Sequence, residues 1–215
     1  RWTSWLAVSL WTITVLVFVC VTLLVLANTR LNLPHLLEDA VYILAGLSLT
    51  TVGTLLAVHR PINPIGWLFL VAGLSIGFLG LAVQYAEYIS VTAPGSLPEA
   101  IWLFWIGSWI WVIAIYLPIT FGVLLFPTGT LPSPRWRPLA WLAAVLIGLF
   151  ILAEMLNPGP LLDPPEAYPQ FTNPLGSERF AHLTNAVLEL AIWLLFLVLG
   201  GVVASVFARL RDANL

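Results

Sequence analysis

Residues 124–141 read "LLFPTGTLPSPRWRPLAW", four prolines and two arginines set between stretches that are almost wholly apolar. Proline ends helices and arginine resists burial, so the segment is a turn that separates two apolar runs. Those runs cover residues 100–126 and 138–156, and working outward adds four more at 5–27, 38–58, 65–89 and 184–208. Each approaches the roughly 20 residues that a helix needs to cross a bilayer core. The chain is 60% hydrophobic and 8% charged, a balance that a soluble domain cannot hide in one core. The expected fold is therefore all-α, a polytopic membrane protein of six transmembrane helices. A barrel is excluded, because the runs are continuous rather than alternating.

Arginine placement sets the expected threading, since cytoplasmic loops are enriched in basic residues. Arg1, Arg60, Arg135, Arg137, Arg209 and Arg211 fall on one side of a six-span chain, and Arg30 and Arg179 on the other. Both termini are thus expected in the cytoplasm, with the protein in a bacterial cytoplasmic (inner) membrane. Of ten acidic residues only Asp212 falls on that inner side. The 124–141 hairpin then holds Arg135 and Arg137 against anionic headgroups, with Trp136 and Trp141 at headgroup level. A second inner hairpin, "HRPINPIGW" at 59–67, is built the same way. The first run is too long for a signal-peptide core. An opening at Arg1 and a stop at Leu215 just past a helix suggest a piece of a longer chain. Cys20 alone excludes an internal disulfide.

Small residues recur at helix-face spacing and are expected to let backbones meet: Gly73, Gly77 and Gly80; Ala140, Ala144 and Gly148; Gly200, Ala204 and Ala208. Pro118 should break the regularity of the fourth helix and free a carbonyl. At about 1.5 Å of rise per residue, Glu38, Glu87, Glu154 and Glu189 reach one level near the outer interface. Trp102, Trp105 and Trp109 share a face of the fourth helix, and Tyr85 adjoins Glu87. An expected ligand site is bounded by Tyr85, Glu87, Trp105, Trp109, Glu154 and Glu189, suited to a cationic amphiphile. Glu189 carries most weight, as an ionisable residue more than a turn inside a membrane helix. Glu38 and Asp39 are ordinary partners of a helix N-terminus, and a solvated rim with a Trp belt is the competing account.

His35, His59 and His182 lie apart, without metal-ligand spacing. No nucleophile elbow, P-loop or dinucleotide fingerprint occurs, so no catalytic residue and no cofactor is expected. "GLSIGFLG" at 73–80 sits in an apolar run and is packing. Nucleic acid is excluded as a partner for want of a basic patch.

"RPINPIGWLFLVAGL" (60–74), "LPEAIWLFWIGSWIWV" (97–112), the 124–141 hairpin and "NPLG" (173–176) resemble the multi-span N-terminal membrane region of bacterial two-component sensor histidine kinases. The resemblance covers nearly the whole chain. It implies a sensory module at 1–208 and the start of a cytoplasmic signalling linker at 209–215. It further implies a homodimer in the bilayer, a kinase domain downstream and, through it, a response regulator. Thr128 and Thr130 stand where that family often shows Asp and Arg, which removes a charge pair from the turn. Two other readings stay open. "NPIG" before the third helix and "NPLG" before the sixth fit a small transporter with a 3+3 inverted repeat. A membrane scaffold without a signalling role is the other.

Overall fold

The computed structural model describes residues 2–28, 33–162 and 168–213. Six helices dominate, each long and apolar enough to cross a bilayer. They are α1 (Trp2–Asn28), α2 (Leu33–His59), α3 (Pro64–Glu87), α4 (Ile101–Tyr116), α5 (Arg137–Leu156) and α6 (Ala181–Ala213). A π-helical turn, Tyr88–Thr92, prolongs α3, and a π-helical stretch, Leu117–Gly122, with a last turn Val123–Leu125 prolongs α4. The six expected spans are all present. Outward-facing positions are themselves apolar, with Trp193 64%, Leu197 72% and Phe207 66% exposed along α6. Water does not tolerate so broad an apolar face, and lipid does.

The start of α3 shows the local logic. Pro64 occupies the first helical position, where a missing N–H costs nothing, and Asn63 Oδ1 accepts from Ile65 N at 3.0 Å. Further along, α1, α2 and α3 pack against one another. The α2–α3 contact is backbone on backbone: a Cβ on Gly53 would lie 2.6 Å from Leu70 N, and one on Gly66 would lie 2.7 Å from Ala57 N. Gly73 meets Thr50 and Gly46 of α2, whereas Gly77 and Gly80 face Val17, Phe18 and Val21 of α1. Buried hydroxyls are satisfied within their own helices, Thr14 on Leu10 O, Thr50 on Gly46 O and Ser75 on Val71 O.

Around α5 the expected small-residue faces need correction. Ala144, Gly148, Gly200 and Ala204 are exposed, and a Cβ on Gly148 or Gly200 would meet nothing within 4 Å. The α5–α6 seam uses other residues: Gly201 lies against Leu139, and Ala143, Phe150, Ala191, Leu195 and Val202 form the core. Pro118 falls in the π-helical stretch, as a missing N–H within a helix requires, and the Thr120 hydroxyl donates to Tyr116 O there.

Both hairpins lie at one end of the bundle and touch. Gly129 (φ 81°) sits so close to Asn63 that a Cβ would fall 2.6 Å from its Oδ1, so handedness and space both demand glycine. Trp67 Nε1 donates to Pro61 O at 3.0 Å, which makes this ring a brace of its hairpin. Arg209 of α6 donates to Leu124 O, a carbonyl at the end of α4. Arg1 and Arg30 lie outside the described residues.

Candidate functional site

At the opposite end, the loop after α5 folds back over α3 and α4. Asn173 pins its neck: Nδ2 donates to Met155 O (3.1 Å) and Asn157 O (2.8 Å), carbonyls that the end of α5 leaves without helical partners. Asn157 Oδ1 in turn accepts from Thr184 Oγ1 of α6 at 2.7 Å. Leu161, Leu162, Tyr168 and Phe171 are buried against Ala82, Ala86, Ile89 and Phe104. The Phe104 and Phe171 rings lie 4.5 Å apart, and Tyr85 meets Phe104 at 6.2 Å.

Of the expected ligand-site residues, the structure brings Tyr85, Glu87 and Trp105 to this cluster, with Trp109 beside Trp105 (rings 5.7 Å apart). Each is already engaged in part. Tyr85 Oη donates to Pro98 O at 2.9 Å, Trp105 Nε1 to Met155 O at 3.0 Å, and Tyr168 Oη to Glu87 Oε2 at 2.5 Å. Trp109 Nε1 is buried without a hydrogen-bond partner among the described residues. Glu154 is half-buried on α5. Glu189 departs from the expected grouping: it is exposed on α6, about 12 Å beyond the first residue of that helix. That helix packs on α5 and the far end of α4, which turns the Glu189 face outward.

The loop's contribution was hidden in the sequence by its prolines, which suggest a bare connection. Its signal was the apolar set Leu161, Leu162, Tyr168 and Phe171 in a segment otherwise polar or proline-rich. Burial and the hydrogen bond to Glu87 raise the Tyr168 phenol above its ordinary pKa. The neutral phenol is therefore the form that stabilises the fold, fully present below pH about 10 and lost as pH rises through the raised value. Tyr168→Phe should loosen the loop by about 1–3 kcal/mol, since Glu87 loses its donor. Thermal unfolding in detergent should show the wild type losing stability above pH about 10 and Tyr168→Phe losing this part of the dependence. Identical profiles would show the contact to be idle.

A second polar group lies between the first three helices. Asn28 Nδ2 donates to Gln84 O and Gln84 Oε1 (2.9 Å each), Gln84 Nε2 to Asp39 Oδ1 (3.1 Å), and Thr92 Oγ1 to Asn28 Oδ1 (2.8 Å). Asp39 and Gln84 close one end of a cleft of about 290 Å³ whose other walls include Phe18, Tyr42, Ile76 and Val83. Sequence reasoning took Asp39 for a helix-dipole partner and passed over Gln84, although Gln84 is a lone amide in an apolar run. A carboxylate at the end of an apolar cleft suits a molecule with an apolar body and a hydrogen-bond-donating head. Protein-family models, curated proteins and solved structures were all compared with the chain, and none matches.

Proposed function

We propose that the chain is the membrane-embedded sensory module of a bacterial signalling protein, which passes a stimulus from the loop end to a downstream cytoplasmic histidine kinase by movement of α6. The observation that carries the reading is the build of that helix. It runs 33 residues, about 50 Å, without a break, and is tied at both extremes: Thr184 to Asn157 at the loop end and Arg209 to Leu124 at the hairpin end. A rod held at two ends, and exposed along one face, can transmit a shift between them. The module works as a homodimer across the outward face that carries Gly200 and Ala204, and its kinase phosphorylates a response regulator. The decisive measurement is kinase output of the full-length protein when the rotational phase of the chain after α6 is altered. Output indifferent to that phase sinks the proposal.

The transporter reading keeps one observation in its favour. Asn63 and Asn173, in "NPIG" and "NPLG" at opposite ends of the bundle, both accept from the amide two residues on, at 3.0 and 2.9 Å. Against it, α1, α2 and α3 pack mutually, whereas α6 meets α4 only at the hairpin end.

Both readings put the hairpins in the cytoplasm of an inner-membrane protein, which labelling tests directly. In a Cys20→Ser background, Ser96→Cys should react with an impermeant maleimide on intact cells stripped of their outer barrier. Ile62→Cys, 96% exposed at the hairpin end, should react only after lysis. Reaction of both before lysis would refute this threading.

A further inference from the structure

We propose that the hairpin end binds a single-chain anionic amphiphile, an acyl chain ending in a phosphate or carboxylate, with its chain between α3, α4 and α6 and its head on Arg209. Two adjoining cavities carry this. One, about 540 Å³, is walled by Phe69, Pro118, Gly122, Val123, Val206 and Leu210, almost wholly carbon. The other, about 420 Å³, is walled by Thr128, Thr130, Leu131 and Pro132 and is mixed in polarity. Phe126, Pro127 and Arg209 line both.

The apolar cavity opens where α4 departs from regular helix and Gly122 offers no side chain beside Phe69. Its size lies within the roughly 300–1,000 Å³ of small-molecule pockets. Arg209 stands at the boundary. One of its N–H groups is spent on Leu124 O, and a guanidinium has five, set in a fork that matches phosphate or carboxylate. No described acidic side chain lines either cavity, so the charge is not neutralised from there. Thr128 and Thr130 hydroxyls lie 2.9 Å apart and need only one hydrogen between them, which leaves the other for an incoming oxygen. A cation at the mouth of a carbon-walled cavity selects an anion that carries a chain. A free anion would leave the cavity empty, and a zwitterionic head would set its own cation against Arg209. The site stands whether or not the chain signals, although a ligand held there would fasten the end of α6 to the hairpin.

The test is native mass spectrometry of the purified chain in dodecylmaltoside, titrated with dodecyl phosphate, dodecylphosphocholine or inorganic phosphate. Dodecyl phosphate should give a saturable one-to-one adduct, dodecylphosphocholine about tenfold weaker binding, and inorganic phosphate none. Arg209→Gln should weaken the dodecyl phosphate adduct about tenfold, and Val206→Trp, which fills the chain cavity, should abolish it. Because Arg209→Gln also severs the link to Leu124, Thr128→Val with Thr130→Val provides a variant that keeps the arginine and should bind several-fold more weakly. Equal binding of dodecylphosphocholine would mean unselective lipid contact, and equal binding of inorganic phosphate a headgroup site alone. Either overturns the proposal, as does wild-type binding by Val206→Trp.

Discussion

Gly66→Leu should separate α2 from α3 and cost about 3 kcal/mol or more of bundle stability, at the upper end of overpacking effects. Its Cβ would approach Ala57 N at 2.7 Å and Gly53 O at 2.9 Å, both backbone atoms that cannot turn aside. Gly53→Leu should do the same from the other helix, since the atoms it meets are Leu70 N and Gly66 O. In lipid there is little hydrophobic drive to hold helices together, so close backbone contact supplies the attraction and its loss is not made up elsewhere. Gly148→Leu is the control, because nothing lies within 4 Å of the position. Denaturant unfolding in mixed micelles should rank Gly66→Leu and Gly53→Leu far below wild type, with Gly148→Leu near it. If all three unfold alike, the α2–α3 seam is not what holds the first three helices.

That contrast also marks where sequence reasoning reached its limit. The six spans were legible because a bilayer demands length and hydrophobicity, and both are visible along a line of residues. The hairpins were legible because proline and arginine act locally. Which side of a helix faces a neighbour was not legible: lipid and protein interior are equally apolar, so the period that betrays a buried face in water disappears. Hence Gly73, Gly77 and Gly80 pack as expected, while Gly148 and Gly200, equally small and equally spaced, look outward. The same ambiguity affects the acids. Depth along a helix follows from counting, which brought Glu87 to the loop end. Azimuth does not, and Glu189 proves exposed. Tyr168 and Phe171 could not be reached either way, because their contacts depend on how a proline-rich loop folds back, with Asn173 as its pin.

Inserting one residue after Leu210 should change the kinase output of the full-length protein by tenfold or more, the proposed function's sharpest consequence. A single residue turns whatever follows in the helix by about 100° and advances it by only 1.5 Å. Arg209 lies upstream of the insertion, so its bond to Leu124 and the membrane bundle are left intact. Any change then comes from phase alone. Tenfold corresponds to about 1.4 kcal/mol between two output states, well within what repacking a helix pair supplies. An insertion of seven residues separates phase from length, because seven turns of 100° return to within about 20° of the start while adding about 10 Å. Output restored by seven residues and altered by one identifies rotation as the message. Output altered equally by both points to translation along the helix axis, which still makes α6 the transmitter. Output untouched by either leaves α6 as a membrane anchor. In that case the ties at Thr184 and Arg209 are structural fastenings, and the transporter reading becomes the better account of the chain.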